Sequence, residues 1–394
     1  MRAVGTTAAA LAALLAAACA GGADAVDLPA LSTPSSVAAR STGGPSPTST
    51  RAPSPTGPSS PKPTATALSS PTAARAPDVL TLAFGGDVHF EEYLRPLARD
   101  PHGLDELRST LGAADLSVVN LETAITERGA PIGKEFHFRT PASALETLAN
   151  AGVDAVSMAN NHGADFGAVG LRDTLAARTA SPLPVVGIGA DEDEAFAPAT
   201  LEAKGVKVAV FGASQVYEMT LANWSADQDS PGIASASPLG RLRTAVSRAS
   251  RTHDLVVVFM HWGLDYQQCP DGLSAATARS LEQAGADIVV GGHSHRVNGA
   301  GWLGRAYVAY GLGNFVWWRS KEPDSRTGVL TLTVDPERAR DRSSSASAVT
   351  GARWTPMLVG ADGIPRQPQE AAERSRLMGV WRQAAACSGL AQRS

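Results

Sequence analysis

Five separate apolar stretches of this chain each end, within a few residues, in side chains able to hold a metal ion or a proton. They are Phe84-Gly85-Gly86-Asp87, Val119-Asn120-Leu121-Glu122, Met158-Ala159-Asn160-Asn161-His162, Met260-His261-Trp262-Gly263 and Val290-Gly291-Gly292-His293-Ser294-His295. A short apolar run bounded by Gly, Asn or charged residues reads as a buried strand. Strands are predicted at 79–84, 116–120, 155–158, 185–188, 206–211, 255–260, 288–290, 306–310 and 329–334, with helical spacing at 142–151, 167–178, 239–251 and 273–284. Such alternation specifies an α/β domain. Ligand sites in open α/β sheets gather beyond the carboxyl ends of the strands, so the five tips are predicted to converge on one pocket. Residues 335–350 are charged and Ser-rich and read as a loop; 354–359 reads as an edge strand and 369–386 as a terminal helix.

Taken singly, each tip has a plain reading beside the chemical one. Asp87 and His89 stand two apart after paired glycines, a spacing that puts both side chains on one side of an extended segment but also suits a surface turn. Glu122 can bridge two cations or simply face water, and Asn161-His162 can complete a mixed ligand set or cap the following helix. His261, His293 and His295 together weigh against chance placement, because three of the chain's eight histidines follow strongly apolar strands; the ordered set of all the tips decides the reading.

The ordered set Asp-x-His, carboxylate, Asn-His, His, Gly-His-x-His resembles the calcineurin-like metallophosphoesterases. The local forms Gly-Asp, Asn-Leu-Glu, Asn-Asn-His, His-Trp-Gly, Gly-His-x-His and Leu312-Gly313-Asn314-Phe315 resemble the CapA family, linked to capsule and poly-γ-glutamate synthesis, over roughly residues 80–334. The resemblance implies a four-layer αββα sandwich and two divalent metal ions, Mn, Zn or Fe. It assigns Asp87, His89, Glu122 and His295 to one ion, and Glu122, Asn161, His261 and His293 to the other, with Glu122 bridging. His162 would serve as general acid or as a second orienting group. Glu122 stands where the phosphoesterases carry Asp, so ordinary phosphatase activity does not follow from the likeness. Phe136, Phe138 and Arg139 match a further CapA-like element; Arg139 is expected either to clamp an anionic substrate group or to form a surface ion pair.

The ends describe an exported protein. Residues 1–18 have a basic start, an apolar core and small residues, the pattern of a signal peptide, and Cys19 after three alanines resembles a lipoprotein cleavage site, with plain secretion as the alternative. Residues 19–77 form the predicted stalk: from residue 20 on they hold 11 of the chain's 26 prolines and no aromatic residue, too little apolar surface to offset the entropy of ordering. The domain proper is expected at 78–334, and 335–394 as an extension packed on it. Five basic and two acidic residues precede residue 78, which leaves 29 of 34 basic and 36 of 38 acidic residues beyond it, a net charge of −7. That balance argues against nucleic acid as a partner. In an oxidising compartment with Cys19 lipidated, Cys269 and Cys387 are expected to pair. The expected partners are an anionic cell-envelope polymer or its precursors, membrane synthesis or export proteins, and the membrane itself through the lipid. Two other readings stay open: a secreted phosphoesterase with no capsule role, and a non-catalytic polymer-binding scaffold.

Overall fold

The computed structural model describes residues 78–393; the expected signal peptide, the expected lipidation site Cys19 and the expected stalk lie outside the described residues. The chain begins with β1 (Leu80–Val88), β2 (Leu116–Leu121), β3 (Ala124–Ile125), β4 (Arg139–Thr140), α1 (Ser143–Asn150), β5 (Ala155–Ser157) and α2 (Gly167–Thr179). It continues with β6 (Val185–Val186), β7 (Ile188–Gly189), α3 (Glu192–Ala195), β8 (Ala199–Ala203), β9 (Val206–Ser214), α4 (Met219–Trp224), β10 (Gly232–Ile233), α5 (Gly240–Ala249), β11 (Leu255–Trp262) and α6 (Gly272–Ala284). The last third holds β12 (Ile288–His293), β13 (Ala300–Leu303), β14 (Ala306–Ala309), β15 (Asn314–Val316), β16 (Arg326–Val334), α7 (Pro336–Arg340), β17 (Val349–Val359), β18 (Pro365–Arg366) and α8 (Ala371–Ala386).

Two mixed sheets result. One runs β18-β17-β16-β1-β2-β5-β6 with β15 also pairing β1; the other runs β13-β14-β12-β11-β9-β8. In the first sheet β1, β2, β5 and β6 run parallel out to one edge, with β16, β17 and β18 antiparallel on the other side; in the second β9, β11, β12 and β14 run parallel between antiparallel β8 and β13. Parallel strands are buried on both faces, which is why they read as unbroken apolar runs.

Side chains alternate along these strands and sort into three cores. Leu80, Leu82 and Phe84 of β1 meet Val208 and Val210 of β9, Val257 and Phe259 of β11 and Val290 of β12 between the sheets. Ala83, Val119 and Val156 face the other way, onto Leu145 and Leu148 of α1 and Leu171 of α2. Val256, Val258 and Val289 pack beneath Leu242 and Val246 of α5 and Leu281 of α6. Helix, sheet, sheet, helix is therefore the layering, an αββα sandwich held by the period-2 alternation of the strands. Among the described residues, no helix is long and apolar enough to cross a membrane.

Several elements differ from the sequence reading. The run 185–188 is split, because Gly187 takes φ +83° and sits where a Cβ would come 2.4 Å from Ala159 Cβ; β6 joins the first sheet while β7 pairs with β10. The loop expected at 335–350 contains α7, started by Asp335, whose side chain accepts from the Glu337 and Arg338 amides, with Pro336 in the first turn. Residues beyond 335 also supply β17 and β18, which lengthen the first sheet past β16. The extended strand β17 starts at Val349, and Trp354 from it stacks on Trp381 of α8 with ring centroids 4.3 Å apart. Cys269 and Cys387 form a disulfide, which ties the loop after β11 to the end of α8.

Candidate metal centre

The parallel strands of both sheets end at one edge, and the site is built there. In β1 one extra residue is accommodated between Phe84 and Asp87, opposite Val118 and Asn120 of β2. This bulge re-aims Asp87. Gly86 makes it feasible, because a Cβ at that position would lie 1.9 Å from the Gly313 carbonyl oxygen. In the other sheet Gly292 does the same service for β12: a Cβ there would lie 2.3 Å from Asp87 Oδ1. The two sheet edges are stitched together by polar contacts. Asn120 Nδ2 donates to Asp87 Oδ1 at 2.8 Å and lies 3.2 Å from His261 Nδ1. The His293 amide donates to Asp87 Oδ2 at 3.0 Å, and His261 Nε2 lies 2.8 Å from Asn161 Oδ1.

Among the described residues, three groups bring ligand atoms within 4.8 Å of one another: Asp87, Glu122 and His295; Glu122, His261 and His293; and Asp265, His293 and His295. Glu122 is common to the first two. Asn161 adjoins them through His261. His89 belongs to none of the three groups; its ring is stacked on Phe138 with centroids 4.4 Å apart and set edge-on to Trp317 at 4.1 Å, and its Nδ1 accepts from the Glu91 amide.

The electrostatics are those of buried acids short of positive charge. Asp87 and Glu122 are fully buried. Their ion-pair contacts are with imidazoles: His295 Nδ1 is 3.6 Å from Asp87, and His261 Nε2 and His162 Nε2 are 3.5 and 3.8 Å from Glu122. Burial, reinforced by the Glu122 charge, pushes Asp87 up to about 7, and burial holds Glu122 well above the usual carboxylate range against the pull of Lys134. Burial also drives His261 down to about 4 and His293 to about 3, and holds His89, His162 and His295 well below the ordinary value. Near neutral pH the imidazoles therefore keep their lone pairs. His89 Nε2, Glu122 Oε1 and His293 Nδ1 are buried without a hydrogen-bond partner. Neutral imidazoles, under-compensated carboxylates and unpartnered buried donor atoms fit divalent cations, which need deprotonated N and O ligands.

His162 stands beside this cluster. Its Nδ1 lies 2.6 Å from Asp165 Oδ2, and Asp165 is further held by Lys134 Nζ at 2.7 Å. A carboxylate at Nδ1 fixes the ring and directs Nε2 toward Glu122. Burial pushes Asp165 up to about 6, with Lys134 pulling the other way. A cavity opens over the cluster. Asn161, His162 and His295 line it together with Phe136, Phe138, Tyr266, Trp317 and Trp318 and the cations Lys134 and Arg319. Phe315, beside the cavity residue Asn314, is fully buried in the core, the packing role its sequence setting suggests.

Arg139 is a correction. It is not among the residues that line the cavity. Its guanidinium carbon lies 3.4 Å from the centre of the Phe166 ring, and its amide donates to Glu91 Oε1 at 2.7 Å. The short β4 segment pairs with β3 and leaves this side chain stacked on an aromatic face, so Lys134 and Arg319, not Arg139, are the cations that line the cavity. Sequence reasoning assigned no role to Asn120, Asp165 or Asp265, and to Asn314 only a share in the pocket wall, which it does line. Asn120 and Asp165 carried a signal, the first inside Asn-Leu-Glu at a strand tip, the second three residues after His162. Asn314, whose Oδ1 lies 2.8 Å from His295 Nδ1, stood in the Leu-Gly-Asn-Phe element. Asp265 lies in an irregular loop and carried none.

A family model described as "Bacterial capsule synthesis protein PGA_cap" matches residues 81–317. The PGA biosynthesis protein CapA of Bacillus subtilis is 29% identical over 256 residues, covering 62% of this chain and 66% of that protein. The capsule biosynthesis protein CapA of Bacillus anthracis is 32% identical over 196 residues, covering 48% of this chain and 47% of that protein. The chain thus spans less than two thirds of the length of either relative. Among solved structures, a phosphatase from Mycoplasma pneumoniae aligns at 15% identity and a TM-score of 0.44, over 77% of this chain and 98% of that one. The matched stretch 81–317 takes in more than half of the chain, from β1 through the cavity residue Trp317, and by that match the chain belongs to the bacterial capsule synthesis (PGA_cap) family.

Proposed function

We propose that this chain is a metal-dependent, phosphoesterase-like hydrolase of the cell envelope that works in capsule or poly-γ-glutamate synthesis, on an anionic polymer or its precursors. The observation that carries the reading is the position of Glu122, shared by the Asp87–His295 and His261–His293 groups at the foot of a polar and aromatic cavity. Asp87 and His295 would hold one divalent ion, His261 and His293 a second, and Glu122 both, with His89 and Asn161 flanking. Bound there, the pair would supply Lewis-acid neutralisation of charge on a phosphoryl or carboxyl oxygen.

The chain's own residues have separate tasks. The aromatic wall of Phe138, Trp317 and Trp318 keeps water from one side of the reacting centre. Lys134 and Arg319 attract the anionic group. His162, its Nδ1–H held by Asp165, turns a bare Nε2 toward the cluster, where it takes a proton from the attacking water and passes it to the leaving oxygen. Export with a lipid on Cys19 would place this work at the outer face of the membrane, and loss of radiolabelled palmitate from the chain on Cys19→Ser tests that part.

The purified protein, incubated with Mn or Zn, is to be assayed on an aryl phosphate and on poly-γ-glutamate. Turnover of either substrate that falls by roughly 100-fold or more in His162→Ala supports the reading, a loss in the range typical of a general acid. Metal-loaded protein that turns over neither substrate but binds the polymer would replace hydrolysis with a binding role.

A further inference from the structure

The two ring nitrogens of His293 have different surroundings. Nε2 lies 3.4 Å from Asp265 Oδ1, while Nδ1 is buried and makes no hydrogen bond. The residue is shared between the Glu122–His261 group and the Asp265–His295 group. A neutral imidazole ligates through one nitrogen and carries its proton on the other, and whatever accepts that proton's hydrogen bond selects the ligating atom. We propose that Asp265 is a positioning residue: its carboxylate faces the Nε2–H of His293 and thereby presents Nδ1 to the ion held with Glu122 and His261. The inference rests on the metal-binding reading given above.

The surroundings of Asp265 are built for such a role. Its side chain is 58% exposed, so water competes for its charge and its value lies in orienting the ring. Its backbone, by contrast, is held. The Tyr266 amide donates to the Ser294 carbonyl at 2.8 Å, and Asn298 Nδ2 donates to the Gln267 carbonyl at 2.8 Å. The Cys269–Cys387 disulfide follows two residues later. On the opposite side, the amide of His293 itself is tied to Asp87 Oδ2 at 3.0 Å. Tyr266 and His293 both adopt left-handed backbone, φ +62° and +89°, which bulky residues take up only where their surroundings dictate it. Loop and ligand turn are thus fixed against each other, with the carboxylate and the imidazole facing across the seam.

The test compares the full-length protein with Asp265→Asn and Asp265→Ala. Zinc affinity is measured by competition with a chelator, and two-bond 1H–15N spectra are recorded on 15N-histidine protein loaded with cadmium. Asp265→Ala is expected to weaken zinc by roughly 10- to 100-fold, the range found for partners of metal-bound histidines. Asp265→Asn, which keeps an acceptor oxygen, is expected to restore most of that loss. In the wild type the cadmium is expected on Nδ1 of His293 with the proton on Nε2, and in Asp265→Ala the His293 signal should show mixed protonation. Unchanged affinity in Asp265→Ala overturns the inference and leaves the metal centre standing. So does cadmium on Nε2, and so does the loss of a whole metal equivalent in both variants, which would make Asp265 a direct ligand. A wild-type protein that binds no metal removes the centre and this inference together.

Discussion

Asn120 donates its side-chain amide to Asp87 at 2.8 Å, and the two residues are register partners on the neighbouring parallel strands β1 and β2. The same amide nitrogen lies 3.2 Å from His261 Nδ1 in the other sheet. One neutral side chain therefore bridges both sheet edges and supplies the hydrogen bond to Asp87 Oδ1, while the His293 amide serves Oδ2. Asn120→Ala is expected to lower the stability of the metal-free protein by about 1–3 kcal/mol, the cost of leaving a buried acceptor unpaired. Asn120→Asp should cost more near neutral pH, because it sets a third acid beside Asp87 and Glu122, and added metal should recover most of that loss. Urea unfolding with and without Zn checks both.

The pH dependence of the metal-free protein follows from opposed shifts. Asp87 titrates near 7 in the fold against 3.8 when exposed, so its contribution to stability is fully present below 3.8 and is lost as pH rises through about 7. His261 and His293 have folded values of about 4 and 3 against 6.5, so they add stability as pH rises toward 6.5 and nothing beyond it. The urea midpoint of the wild type relative to Asp87→Asn should therefore shift in favour of the variant between pH 5 and 8. Metal reverses the sign, because binding displaces the Asp87 proton and should tighten from pH 6 to 8 with proton release in calorimetry.

The disulfide closes a separation of 118 residues between the loop after β11 and the end of α8. Replacing both cysteines by serine is expected to cost about 2–5 kcal/mol of stability. It should also weaken metal binding, because Cys269 stands in the loop that carries Asp265. Calorimetric melting and chelator competition measure the two effects separately.

Arg139 and Arg319 should behave differently on substitution. Arg139→Ala removes a guanidinium stacked on Phe166 and is expected to cost about 0.5–2 kcal/mol of stability while leaving KM unchanged. Arg319, in the cavity wall, is held by Tyr266 and Asp324. Arg319→Ala should raise KM for an anionic substrate with little change in melting temperature. Paired kinetics and melting curves separate the two roles.

What the sequence made legible follows from physics of different reach. Strands such as Leu255–Trp262 and Ile288–His293 are buried on both faces, so their apolar runs are long and their polar ends abrupt; the gathering of Asp87, Glu122, Asn161, His261, His293 and His295 was readable for that reason. The bulge before Asp87 was foreshadowed by Gly85-Gly86. Features set by tertiary contact were not readable. Gly187 breaks one apolar run into strands of two different sheets because Ala159 presses against it. Arg139 turns onto Phe166 because a two-residue ribbon aims it there. Asp265 meets His293 only through the fold of an irregular loop, and no periodicity marks such a residue.

Glu122 joins the two ligand groups, so its amide analogue tests the account most directly. Metal content of the purified full-length protein, dialysed after exposure to Mn, Zn or Fe, is to be measured by plasma mass spectrometry for the wild type and Glu122→Gln. The account predicts close to two bound divalent ions in the wild type, and at most traces in a Glu122→Gln protein that remains folded. A folded wild type that retains no ion, or a Glu122→Gln variant that retains both, would contradict it.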